Sequence, residues 1–216
     1  MPKGERQEVR VLRASFQPGR TTHRYEGVMS KSDDDLSNLT AEAGDIVAEA
    51  QQTFGNLTAQ QLNWKPNAES WGIGQCFDHL MTANESYFPI IEQIIKGEKP
   101  RTFWESFPVL PTFFGWMLIK YLSPESTKKL KAPDVFKPSS SDIDPNIINN
   151  FVRQQNQLTF LMRQTAELDL RHTKITSPAV RFVTYSLMDC YAILVVHEKR
   201  HLQQARRVLN TEGFPT

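Results

Sequence analysis

The chain has 216 residues, enough for one well-packed core and too few for two ordinary domains joined by a linker. With 39% hydrophobic and 23% charged residues it has the composition of a globular protein, which excludes a disordered chain. Its 25 basic and 24 acidic side chains leave a formal charge of +1, so no broad field attracts nucleic acid or an acidic membrane, and neither is an expected partner.

The two cysteines, Cys76 and Cys190, lie far apart with no C-x-x-C spacing, so no secreted disulfide scaffold is indicated. No apolar run approaches the roughly 18 residues that span a bilayer, and "MPKGERQEVRVLRASF" lacks the apolar segment of a signal peptide. A soluble, cytoplasmic protein is expected.

Residues 1–32 carry scattered basic residues, Gly and Pro without sustained periodicity, and are expected to form a flexible arm ahead of a bundle domain at 33–210. Met29, followed at once by Ser30, Lys31 and Ser32, is an alternative start. From Asp33 the pattern turns helical, with Leu36, Leu39, Ala43, Ile46, Val47, Ala50 and Phe54 at three- and four-residue intervals before Gly55. Ser70 is the expected N-cap of a second helix that carries Ile73, Phe77, Leu80, Tyr87, Ile91, Ile94 and Ile95, with Pro89 as a bend. Six prolines then punctuate an excursion over about 100–141. Its stretch "FFGWMLIKYL" predicts a short buried helix that either roofs a cleft or packs only for stability.

A third helix is expected near Asp144, with Pro145 at its first position and Ile148, Phe151, Gln155, Leu158 and Met162 facing inward. The last should run from Thr184 to Leu209, with Leu187, Tyr191, Leu194, His201 and Val208 inward and His197 and Ala205 beside them. Four long amphipathic helices and no convincing strand predict an all-α four-helix bundle.

The last helix contains HEKRH, a literal H-E-x-x-H match. Residues four apart share a helix face, so His197 and His201 can present two imidazoles to one ion at roughly 2.0–2.1 Å. A metalloprotease needs a third ligand, and the extended form of its motif asks for histidine where this chain has Arg207. Only fifteen residues follow His201, Glu212 near the end is a poor substitute, and no sheet edge is available to hold a peptide. A protease is therefore not expected, and the third ligand is sought upstream. His79 stands out there: it lies mid-helix with Gln75 and Trp71 at four-residue spacing, between apolar flanks. His23 lies in the arm and His172 in a polar connection.

The tryptophan-flanked "LNWKPNAESWGIGQCFDHL", the "HEKRHLQQA" of the last helix and the excursion's "KAPDVFKPSSS" together resemble the DinB-like (DinB_2) superfamily, related to DNA-damage-inducible DinB and to bacillithiol transferases, over about Asp33 to Leu209. The resemblance implies a DinB/YfiT-like bundle holding a divalent metal through His79, His197 and His201, with open positions for water or substrate. Nitrogen-only ligation suits zinc or nickel first, and iron or copper also, over magnesium or calcium. An ion held by three neutral imidazoles keeps its charge, which lowers the pKa of bound water toward about 7 and equally stabilises a thiolate.

The expected function is therefore a metal-dependent enzyme of hydrolase or thiol S-transferase type acting on a small molecule; the alternative is a non-catalytic metal-binding bundle with a stress-response or sensing role. No catalytic residue is assignable from sequence. Glu198 follows His197 by about 100° of helix rotation, so it is expected to support the ligands or a neighbouring helix rather than act as a base. Gln75 and Gln204 either orient the imidazoles or simply bond between helices. Cys76 and Cys190 read as small core residues. An apolar face on such a bundle leads to the expectation of a homodimer, with the aromatic excursion as its contact.

Overall fold

The computed structural model describes the backbone at residues 22–107, 110–126, 133–138 and 142–216, with side chains placed at 34–107, 111–126, 133–138 and 142–216. The bundle is built from α1 (Thr22–Phe54), α3 (Ile73–Glu85), α6 (Ile147–Gln164) and α7 (Leu187–Leu209). Each of α1 and α3 packs on both α6 and α7, so the four helices close a square. Their inward stripes are the ones the spacing predicts: Ala43, Ile46, Ala50 and Phe54 on α1, and Ile148, Phe151, Leu158 and Met162 on α6, are all buried.

Helix α1 begins eleven residues before Asp33, so residues 22–32, expected in the arm, are helical; residues 1–21 lie outside the described residues. The expected second helix is two helices. It breaks after Glu85 and resumes as α4 (Phe88–Ile95), because Pro89 has no N–H to donate to the preceding turn and is accommodated in the first turn of a new helix instead. The N-cap of α3 is Gly72, not Ser70. A Cβ there would stand 2.6 Å from the Trp64 carbonyl, at the end of the short helix α2 (Ala59–Asn63), so only glycine allows this close approach.

Two short strands, Lys174–Thr176 (β1) and Thr184–Ser186 (β2), pair antiparallel with Ile175 opposite Tyr185. This corrects both the expectation of no strand and the start of the last helix. Three-residue strands are too short to show a period of two, and Thr184–Ser186 runs into α7 without a break in burial. The boundary is marked by Ser186, whose hydroxyl accepts from the Asp189 N–H at 3.0 Å as the N-cap of α7.

The excursion forms a 3₁₀ turn at Trp104–Ser106, helix α5 (Leu110–Leu122) and a second 3₁₀ turn at Asp134–Phe136. Helix α5 packs against α7 and β2 through Phe114, Leu118, Ile119 and Leu122, whereas Phe113 and Trp116 face outward. It is amphipathic rather than buried all round. Gly115 brings it close to α7, since a Cβ there would lie 2.5 Å from an Asp189 carboxylate oxygen.

A buried ion pair fastens the excursion to the hairpin. Lys99 Nζ donates to both oxygens of Glu105 at 2.8 Å, and the same carboxylate accepts from the Thr102 N–H and the Thr176 hydroxyl. Removing one member of such a pair strands the other charge. Glu105→Ala is therefore expected to cost about 3–5 kcal/mol and to raise amide exchange at residues 102–107 more than within α7, measured by thermal melting and hydrogen exchange.

Candidate metal centre

Helix α7 presents His197 and His201 on one face, one turn apart, toward His79 on α3. The Nε2 atoms of His79 and His197 are 3.1 Å apart, and one ring nitrogen from each of the three histidines lies within 4.8 Å of the others. Two ligands at roughly 2.0–2.1 Å in tetrahedral geometry would be about 3.3 Å apart, close to the observed spacing. The three ring centroids are separated by 4.6 to 4.9 Å.

Backbone and aromatic groups fix the rings. The Nδ1–H of His79 donates to the Phe136 carbonyl in the second 3₁₀ turn, which leaves Nε2 as the bare nitrogen aimed at the cluster. Trp71, just ahead of the Gly72 cap, stacks on His201 with centroids 5.6 Å apart and tilts against His79 at 4.9 Å.

Burial keeps these imidazoles neutral. Desolvation pushes His201 down to about 3, with His79 nearby adding to the effect, and holds His197 well below the ordinary histidine range. His79 is lowered by the same cause, partly offset by its bond to the Phe136 carbonyl. The buried Nδ1 of His201 has no hydrogen-bond partner. Three neutral, converging imidazoles, one of them with an orphaned buried nitrogen, fit a divalent ion better than they fit a packed core.

The other residues singled out by sequence fall in different places. Gln75 accepts from the Gly72 N–H at 3.2 Å and so caps α3, lining the cavity as well. Gln204 lies beside His201 and favours the protonated ring, against the larger effect of desolvation. Glu198 turns away from the histidines into the bundle. Its Oε1 accepts from Asn84 Nδ2 at 2.7 Å and Gln155 Nε2 at 2.5 Å, while Oε2 is buried without a partner. Burial raises Glu198 to about 7 despite these two bonds. Both cysteines are buried, Cys76 with its thiol pushed up to about 12 by desolvation and Cys190 higher still. His172 is exposed and pairs with Asp169 at 2.8 Å.

Sequence reasoning missed the Phe136 carbonyl, the ring stacking of Trp71 and the two amides on Glu198. A backbone acceptor carries no side-chain signature. Asn84 and Gln155 are visible as polar residues on otherwise apolar stripes.

The histidines line a cavity of about 1190 Å³. Leu118, Val180 and Ile193 give it an apolar wall, while Lys65, Arg200 and Arg207 bring positive charge. Leu118 and Leu122 of α5, with Phe136, line this cleft, so the excursion forms part of its wall as well as packing on the body. Arg200 is held by the carbonyls of Ser123 and Ser126 at 3.1 Å each, beyond the end of α5.

Fold and site together define a helical bundle with a three-histidine cluster that could hold a metal ion and that lines a cavity. A family model described as the DinB superfamily matches residues 46–205, and the chain belongs to that superfamily. No curated protein and no solved structure gave a match.

Two pH effects follow for the metal-free protein. Between about 6.5 and about 3 the unfolded chain binds a proton at His201 that the folded chain refuses, so stability falls as pH drops through that window. His201→Gln should flatten this acid limb in urea denaturation. Glu198 has the opposite sign: the folded chain holds its proton more tightly, a contribution complete below about 4.5 and lost as pH rises through about 7. Glu198→Gln should remove the alkaline decline, whereas Glu198→Ala should cost about 2–4 kcal/mol at every pH by leaving two amides and a cavity unfilled.

Proposed function

We propose that this protein is a divalent-metal-dependent enzyme that activates water or a low-molecular-weight thiol for attack on a small-molecule electrophile. The supporting observation is the convergence of three neutral imidazoles on a cavity large enough for a substrate beside the ion. Zinc or nickel suits this all-nitrogen donor set best, with iron or copper next. A bound ion would supply Lewis acidity, lowering the pKa of a water or thiol and stabilising developing negative charge.

The chain's own groups do the rest. His79, His197 and His201 are the ligands, and the Phe136 carbonyl holds the His79 ring in its ligating tautomer. Trp71 and the apolar wall limit water around the ligands. Lys65 and Arg207 offer positive charge to an anionic part of the substrate. No cysteine thiol reaches the cavity, since Cys76 and Cys190 are buried elsewhere and protonated, which favours an external nucleophile over a covalent enzyme intermediate. Glu198, turned into the bundle, is not placed to take a proton from anything in the cavity.

Elemental analysis of protein purified without an affinity tag should find about one zinc or nickel ion per chain, and saturating metal should raise the melting temperature by several degrees. His79→Ala and His197→Ala should each abolish both effects. Metal-dependent turnover of a model electrophile with water or a thiol should fall at least about a hundredfold in His197→Ala. Full metal loading with no turnover across both nucleophile classes would contradict the enzymatic reading while leaving the ligand set intact.

A further inference from the structure

The outer side of the excursion carries a continuous aromatic surface. Phe103 is 70% exposed, Trp116 59%, Phe182 52% and Phe113 51%. Ring contacts join these segments: Phe103 meets Trp104 at 5.4 Å, Trp104 meets Phe182 at 6.4 Å, Phe182 meets Phe114 at 6.2 Å, and Phe114 meets Phe113 at 5.5 Å. Trp116 follows Phe113 by three residues on the same face of α5. Single exposed aromatics are ordinary, but a run of touching rings drawn from two distant segments marks an interaction surface.

Charge identifies what the surface meets. Over 99–120 and 174–182 the chain carries five cations, Lys99, Arg101, Lys120, Lys174 and Arg181, and one carboxylate, Glu105. Glu105 is buried and neutralised by Lys99. The remaining cations lie within or beside the aromatic segments. Arg101 donates to the Glu105 carbonyl at 3.3 Å, and Lys174 to the Glu105 and Phe107 carbonyls at 3.0 and 3.4 Å. The Lys120 ammonium lies 5.0 Å from the Trp116 ring, and Arg181 precedes Phe182. The Asp189 carboxylate lies between α5 and α7, against Gly115.

We propose that this face docks on an anionic phospholipid surface, with the Phe and Trp rings at headgroup level and the rim cations on the lipid phosphates. Aromatic rings with a Lys/Arg rim match such an interface in both polarity and charge. A second copy of the chain, the occupant that sequence alone suggests, would bring one cationic rim against another. The overall charge of +1 conceals this because acids elsewhere balance it.

The test is co-sedimentation of the full chain with vesicles of equal parts phosphatidylglycerol and phosphatidylcholine, against phosphatidylcholine alone. Binding to the anionic vesicles, weakening with added salt, is expected. Lys120→Gln and Arg181→Gln, both at exposed positions, should each weaken it about fivefold. Phe113→Ser combined with Trp116→Ser should abolish it at an unchanged melting temperature. Equal binding to both vesicle types, no binding, or binding indifferent to the two charge variants would overturn the proposal. So would a wild-type dimer in sedimentation equilibrium that the aromatic double variant converts to monomer.

Discussion

Three uncharged imidazoles held side by side, His79 and His201 buried and His197 half-buried, are the constraint on which the arrangement of this protein rests. Placing charged rings there would set like charges within 5 Å of one another in a water-poor site, so the folded state holds them neutral and pushes their proton affinity down. Each neutral ring keeps a lone pair that it can offer to an ion. The excursion contributes to this directly, because the carbonyl that fixes His79 belongs to its second 3₁₀ turn. An insertion between helices thereby becomes part of the centre, and its buried Lys99–Glu105 tether helps keep it in place.

Helix α7 separates two kinds of polar burial. His197 and His201 face the cavity, while Glu198, one residue on, faces the bundle and meets Asn84 of α3 and Gln155 of α6. This layer falls between two apolar clusters, one including Leu158, Tyr191 and Leu194 and the other Phe77, Phe151 and Leu202. A carboxylate there with only two donors would be costly, and a proton on Glu198 relieves part of that cost by supplying a donor among several unpartnered acceptors. The same pentapeptide that reads as a protease motif therefore divides its residues between the three-histidine cluster and a core layer. Helix α5 is two-sided in a similar way, with Leu118 and Leu122 toward the cavity and Phe113 and Trp116 toward solvent.

The bundle was legible in the sequence because long helices repeat their signal: the apolar stripes of α1, α6 and α7 each continue over several turns. The pair His197 and His201 was legible for the same reason, through four-residue spacing. His79 was found as a polar residue among apolar neighbours, and its link to the other two depended on the paired motifs. Features that span few residues or depend on backbone position were not legible. The two three-residue strands show no periodicity, the break at Ser86–Tyr87 reads as a bend at Pro89, and the Phe136 carbonyl has no side-chain signal at all. The cationic rim of the aromatic surface was likewise hidden in a near-neutral total, since only the fold brings Arg181 and Phe182 to the excursion.

X-ray absorption at the metal edge of the zinc- or nickel-loaded protein tests the central claim most directly. Three imidazole nitrogens at about 2.0–2.1 Å are expected, with the remaining scatterers light atoms from solvent, and one imidazole is expected to be lost in His79→Gln. A sulfur scatterer near 2.3 Å, or a shell unchanged by His79→Gln, would contradict it.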